Sequence, residues 1–133
     1  IIDFSGNFKR INNSWSELLG WPAETMVEKN LVDFIHTDDV ALTRDAIGEI
    51  CATGSNRIFE NRFQCMDGAY RWLLWGGAAN KDASLIYASA IDITERKINE
   101  EELLRSKQNL EIVASKLMEQ NRLLDEFAHI ISH

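Results

Sequence analysis

Proline is almost missing from this chain: Pro22 is its one copy, and no glycine follows Gly77. The long C-terminal stretch therefore holds neither residue that interrupts regular backbone, which leaves it free to be one continuous helix. Cysteine is scarce as well. Cys51 and Cys65 stand in otherwise apolar segments without CxxC spacing. That excludes a disulfide scaffold and reads as a reduced, buried pair of thiols in a cytoplasmic protein. No basic patch exists: 14 Lys and Arg are scattered among 21 Asp and Glu, for a net charge of -7 and a pI near 4.9. A nucleic-acid or anionic-membrane partner is excluded on that ground, since both require clustered positive charge. Long apolar runs are lacking too. Trp72 to Trp75 and Gly76 to Ala79 fall far short of the roughly 20 residues of a membrane span. No secretory signal opens the chain. It starts at Ile1 without Met and stops at His133 in mid-pattern, and so reads as an excised fragment, with any membrane anchor outside it.

What the chain has in quantity is a seven-residue repeat. Leu103, Leu110, Leu117, Leu124 and Ile131 recur at that interval, and Ser106, Val113, Gln120 and Phe127 follow three residues after the first four. This spacing belongs to a helix that supercoils against a partner, so a parallel dimeric coiled coil is expected. About forty residues of helix extend roughly 60 Å, more than a domain of this mass can cover. Removing them leaves about 93 residues, enough for one small α+β domain.

Taken in order, Ile1 to Asp3 and Phe8 to Ile11 read as two strands joined at Ser5-Gly6-Asn7. Asn13 or Ser14 caps a short helix carrying Trp15, Leu18 and Leu19, closed by Gly20 and Pro22. Helical turns follow at Glu24 to Met26 and Leu31 to Ile35, then a helix from Asp39 to Ala52 ending at Gly54. Beyond it the period becomes two. Ile58 to Cys65, Tyr70 to Ala78 and Leu85 to Ile93 read as three antiparallel strands, with Asp67-Gly68 turning the first pair. The expected fold is α+β: a five-stranded antiparallel sheet with short helices on one face, and a long C-terminal helix. Gly76-Gly77 permits either a bulge or a close backbone approach.

Several residues carry candidate chemistry. Asp92 is placed to cap the new helix, with Glu95 completing a capping box and Arg96 four residues on as its ion-pair partner. His129 and His133 each lie two residues past a seam position, about 200° around the helix, so both point away from a partner helix. As a metal pair they lack a third ligand. His36 with Asp38 and Asp39 reads as the cap of the following helix rather than a metal cluster. Trp15, Trp21, Trp72 and Trp75 read as core mass rather than a cofactor stack. Ser106, Gln120 and Asn121 weaken the seam at its middle, where such a helix would switch between two packings.

The order of elements and several motifs resemble the PAS sensory domain. The matching residues are Asp3-x-x-Gly6, Asn13-x-Trp15 leading to Leu18-Leu19-Gly20-Trp21, and Leu31-Val32-Asp33-Phe34-Ile35-His36-Thr37-Asp38-Asp39. Asp67-Gly68-x-Tyr70-Arg71-Trp72 and the closing Asp92-Ile93-Thr94-x-Arg96 complete the set. The family usually has Pro where Thr37 stands, and its initial strand and helix before Ile1 are largely missing. Leu124 to His133, ending Phe127-Ala128-His129-Ile130-Ile131-Ser132-His133, resembles the start of the dimerisation and phosphoacceptor helix of sensor histidine kinases.

The two resemblances together imply three segments: residues 1–93 a PAS sensory domain, 94–123 a signalling coiled coil, and 124–133 the start of the phosphoacceptor helix. They imply signal transfer at Asp92, Thr94 and Arg96, a seam of Leu103, Leu110, Val113, Leu117, Leu124, Phe127 and Ile131, and His133 as phosphoacceptor. A neutral imidazole is a competent nucleophile towards the γ-phosphate of ATP when a carboxylate holds its other nitrogen. The expected partners are a second copy, a response regulator and a small-molecule ligand of the PAS pocket. ATP and Mg belong to a kinase domain that this stretch does not contain, so it is expected to be inert alone. No cofactor or metal is assigned. The flavin-photoreceptor branch needs Asn-Cys-Arg-Phe around its cysteine, which neither Cys51 nor Cys65 provides, and haem-binding members place a histidine on the helix that here runs from Asp39 to Ala52 and has none. The competing readings are a PAS dimerisation adaptor for another output, such as a cyclase or phosphatase, and a small-molecule receptor.

Overall fold

The computed structural model describes residues 1–132 and divides into two compact units, Ile1–Thr94 and the chain from Glu95 onward. In the first unit four strands, β1 (Ile2–Asp3), β2 (Arg57–Gln64), β3 (Tyr70–Asn80) and β4 (Leu85–Asp92), form one antiparallel sheet in the order β1-β4-β3-β2. Between β1 and β2 run α1 (Asn13–Leu19), α2 (Ala23–Met26), two 3-10 turns (Leu31–Phe34 and Thr37–Asp39) and α3 (Val40–Thr53). One long helix, α4 (Thr94–Ser132), follows β4.

The expected fifth strand, Phe8 to Ile11, is reduced to a single bridge between Ile2 and Phe8. Its backbone is engaged elsewhere. The Phe8 N–H donates to Lys29 O and the Phe8 carbonyl accepts from Glu28, while the Lys9 and Arg10 N–H groups converge on one carbonyl of the expected partner strand, Ile1 O, and do not continue a ladder along it. A strand cannot extend a ladder with groups already satisfied by another segment.

Local rules account for the other boundaries. Gly6 takes φ +90° in the turn after β1, where the Asp3 carboxylate accepts the Ser5 and Asn7 N–H groups at 2.9 Å each. The cap of α1 is Asn12, one residue earlier than expected, and its Oδ1 accepts the Ser14 N–H at 2.7 Å. In α3, Thr43, Ala46 and Ile50 form the buried face. Its start is anchored by Asp39, which accepts two side-chain hydrogen bonds from Arg62 at 2.8 and 2.9 Å and one from the Arg62 backbone. The Arg62 hydrogen bonds hold the Asp39 carboxyl below the usual carboxylate range. His36 Nδ1 accepts the Asp38 N–H at 3.1 Å and so caps the 3-10 turn Thr37–Asp39 and not α3 as expected; Asp39, at the cap of α3, makes no side-chain cap hydrogen bond.

The two glycines of β3 stay in register, opposite Ile58 and Arg57 on one side and Ser89 and Ala88 on the other. No bulge forms, and a Cβ on Gly77 would stand at ordinary contact distance, 3.4 Å from Ile86 and 3.6 Å from Ile50, so close approach does not demand glycine there either. The core between sheet and helices is aromatic. Phe34 stacks on Phe63 at 5.3 Å, Trp15 on Trp75 at 5.0 Å, and Phe8 meets Phe34 edge-on at 5.9 Å. Both cysteines are free thiols, Cys65 buried and Cys51 half-buried, and burial pushes both above the ordinary thiol pKa.

Candidate functional site

Two features of the first unit are built for more than packing. The first is a cavity of about 310 Å³ between the sheet and the N-terminal elements. Ile2, Phe8, Met26, Trp75 and Ala88 give it apolar walls, Trp15 of α1 contributes its indole, and Arg10 and Asn12 are its polar members. Deeper in the core only about 20 Å³ remains among Ile50, Phe59, Gly77 and Ile86. Trp75 is fixed from behind. Its Nε1–H donates to Asn61 Oδ1 at 2.7 Å, and Asn61 Nδ2 donates to Thr43 Oγ1 at 3.1 Å, so α3, β2 and β3 are joined by one buried polar relay. Trp15, Trp21 and Trp75 therefore belong to the core, as the sequence suggested, and two of them also wall the cavity, whereas Trp72 lies outside the core cluster under the Arg62 guanidinium. Asn61 and Thr43 were not recognised from sequence. In the period-two pattern of β2, Asn61 falls on the Phe59 and Phe63 side, and a polar residue on an apolar face was the available signal.

The second feature closes the sheet at the end of β4. Asp92 Oδ1 accepts the Thr94 N–H at 2.9 Å and the Thr94 hydroxyl at 2.5 Å, while its Oδ2 accepts from Arg71 Nη1 at 2.8 Å. Thr94 Oγ1 in turn accepts the Trp72 N–H at 2.9 Å, and Ile93 N–H donates to Trp72 O. Burial alone would raise the Asp92 carboxyl, but the hydrogen bonds from Thr94 and Arg71 outweigh it and hold it below the ordinary carboxylate value. The same contact raises Arg71. Four residues from two strands and the first turn of α4 thus form one closed hydrogen-bonded cluster.

Of the predicted junction residues, Asp92 and Thr94 meet in this cluster. Arg96 lies on α4, where its Nε is 3.4 Å from Glu100. Arg71, which sequence spacing did not offer as a partner of Asp92, is brought in by strand pairing. Asp92 stands opposite Leu73, and Arg71 is the next residue along β3 on the same face.

The helical unit carries the residues expected to form a seam. Leu103, Leu110, Val113, Leu117, Leu124, Phe127 and Ile131 are all exposed on α4, Leu103 at 72%. Ion pairs within one helix, Glu101 with Arg105 and Arg122 with Glu119 and Glu126, occupy other positions of the same helix. His129 is exposed on the last turns. The proposed phosphoacceptor, His133, lies outside the described residues. No described helix is long and apolar enough to cross a membrane.

Comparison with known proteins gives the family. The model of the PAS fold matches residues 8–85. A curated relative, the White collar 2 protein of Neurospora crassa, is 34% identical over 68 residues, which cover 51% of this chain and 13% of that protein, so the chain spans only a small part of it. Among solved structures, the PAS-B domain of Drosophila melanogaster Cycle with bound ethylene glycol superposes with a TM-score of 0.63 at 18% identity, covering 68% of this chain and 94% of that one. A sensory box histidine kinase/response regulator from Burkholderia thailandensis gives 0.59 at 23% identity, covering 74% and 78%. The sheet order, the helices on its inner face and the matched segment agree, and the chain belongs to the PAS fold family.

Proposed function

We propose that this chain is the sensory and signal-transmitting part of a two-component sensor histidine kinase. A PAS domain of residues 1–93 perceives a signal, a coiled coil of 94–123 carries it, and 124–133 opens the phosphoacceptor helix, with His133 as the phosphorylated residue. The observation that carries this reading is the apolar stripe of α4. Up to Leu117 each heptad offers one or two apolar seam positions, as in Leu110 with Val113 or Leu117 with Gln120, and other exposed apolar residues, Leu104, Ile112 and Met118, are scattered, with Ile112 on the opposite side of the helix from Leu103. From Leu123 it offers more: Leu123, Leu124, Phe127, Ile130 and Ile131 are all exposed and fall within an arc of about 120°. A two-stranded coil needs the narrow stripe, and a helix entering a four-helix bundle needs the wide one. A coil that leads into a bundle is the organisation in which two kinase chains bring a histidine beside a catalytic domain.

The junction cluster supplies the coupling. Asp92 and Thr94 tie the start of α4 to Arg71 and Trp72 of the sheet, so a ligand that shifts β3 or β4 changes the hydrogen bonds that hold the helix start. Arg96 extends the junction into the helix. ATP and Mg are used by the kinase's separate ATP-binding domain, the partners are a second copy and a response regulator, and the location is cytoplasmic. The similarity to the Burkholderia histidine kinase structure supports this reading.

The deciding experiment is phosphorylation of the kinase containing this chain, with and without His133→Gln. Loss of acid-labile, base-stable label in the variant is expected, and label that persists sinks the assignment. A second reading is favoured by the 310 Å³ cavity: a small-molecule receptor, compatible with either a kinase or an adaptor for another output domain. Native mass spectrometry of the purified chain reports a retained ligand. The residues following His133 separate the outputs, since an acidic residue and then a proline-containing turn belong to the kinase.

A further inference from the structure

On the side of α3 away from the aromatic core, Arg44, Ile47, Gly48 and Cys51 line a cleft of about 510 Å³. The turn Phe4–Gly6 and the residues Val32 and Asp33 form its other wall. It shares no lining residue with the 310 Å³ cavity.

Gly48 is the first anomaly. Glycine inside a helix is disfavoured by about 1 kcal/mol against alanine, and is kept where a side chain would be in the way. Nothing in the protein requires it, because a Cβ at Gly48 meets no atom within 4 Å. The bare backbone leaves the middle of the cleft open. The second feature is electrostatic. Arg44 and Asp33, both exposed, line the same cleft with opposite charges, and neither side chain has a hydrogen-bond or ion-pair partner among the described residues, so both are open to a ligand. They do not pair with each other either. Between them Phe4, Val32 and Ile47 are apolar and partly buried.

We propose that this cleft binds a small zwitterion with an apolar body, of about dipeptide size. Its carboxylate meets the Arg44 guanidinium, whose paired N–H groups match a carboxylate, and its ammonium meets Asp33. Its apolar side chains lie over Gly48 against Phe4, Val32 and Ile47. The volume lies in the range of small-ligand sites.

Cys51 provides the readout, since it lines the cleft while Cys65 is buried elsewhere. The probes are leucyl-phenylalanine, its N-acetyl derivative without the ammonium, and its C-terminal amide without the carboxylate. Iodoacetamide labelling of Cys51 in the purified chain, read by peptide mass spectrometry, is expected to slow about threefold or more with the dipeptide at about 10 mM. Both blocked derivatives are expected to leave the rate unchanged. Gly48→Leu, at a position with open space around it, is expected to abolish the protection while the thermal midpoint stays at or above that of the parent chain, and Arg44→Gln and Asp33→Asn to abolish it without loss of fold. Equal protection by either blocked derivative overturns the charge assignment. Absence of protection by the dipeptide overturns the site, and neither result touches the kinase reading.

Discussion

The two units of the chain dispose of their apolar side chains in opposite ways. In Ile1–Thr94, Phe63, Leu73 and Met26 are fully buried against partners from the same unit. From Glu95 onward, Leu103, Leu110, Leu124, Ile130 and Ile131 are each more than 60% exposed along one helix, and no described residue of that unit is classed as buried. The first unit carries its own stability. The second repeats an apolar stripe that gains nothing until another helix covers it, because an isolated helix draws most of its stability from packing. The difference teaches where to look for regulation: a self-contained domain can sense, while a helix that depends on its neighbours can report.

The comparison predicts unequal responses to truncation. Phe63→Ala should destabilise the first unit by about 3–5 kcal/mol, read by urea denaturation followed through tryptophan fluorescence. Leu110→Ala should leave that transition in place and instead weaken the proposed coiled-coil self-association, read by sedimentation. An equal loss of domain stability from Leu110→Ala would erase the distinction between the units. Next in size is the buried relay: Trp75→Phe strips Asn61 Oδ1 of its donor and should cost about 1–3 kcal/mol in the same assay. Thr94→Ala, at the boundary, should cost about 1 kcal/mol and raise amide exchange at the first turn of α4 and at Trp72, with the middle of α4 unaffected. Exchange that rises along the whole helix would mean that the junction holds more than its own turn.

Acidification sharpens the same contrast. Asp92 and Asp39 have carboxyl pKa values held below their unfolded values, so each contributes stability that is complete above about pH 4 and is lost as pH falls through the lowered folded value. The first unit should therefore lose stability in acid, and Asp39→Asn should flatten that dependence. The smallest effect is expected at Gly48→Ala, which should raise the thermal midpoint slightly, by up to about 1 kcal/mol of stability, since the position has room for a Cβ. Under the proposed kinase function, insertion of one full heptad between Arg105 and Gln120 should preserve regulated output, and half a heptad should invert or abolish it.

Much of the fold was legible because its signals are local. Gly20 and Gly54 stop helices in the left-handed conformation, and the period changes at Ile58 and again at Thr94. The helix start at Asn12 was misplaced by one residue because Asn12, Asn13 and Ser14 are all competent caps, and only the backbone angle of each decides. The Phe8 segment was overcounted as a strand because its hydrogen-bonding partner, Glu28 and Lys29, lies beyond two helices. The site was less legible than the fold. Spacing within one helix offers Asp92 an arginine four residues away, whereas Arg71 reaches it across a strand pair whose register no local pattern states.

By itself the sequence determined the family motifs, the helical and strand periods and the heptad of α4, since each depends on residues within a turn or two of one another. The tertiary structure alone decided the four-stranded count, the Thr43–Asn61–Trp75 relay, the Arg71–Asp92–Thr94 cluster and the cleft over Gly48. Those features pair groups distant in sequence. Their partners are chosen by sheet register and core packing, which act on the whole domain at once.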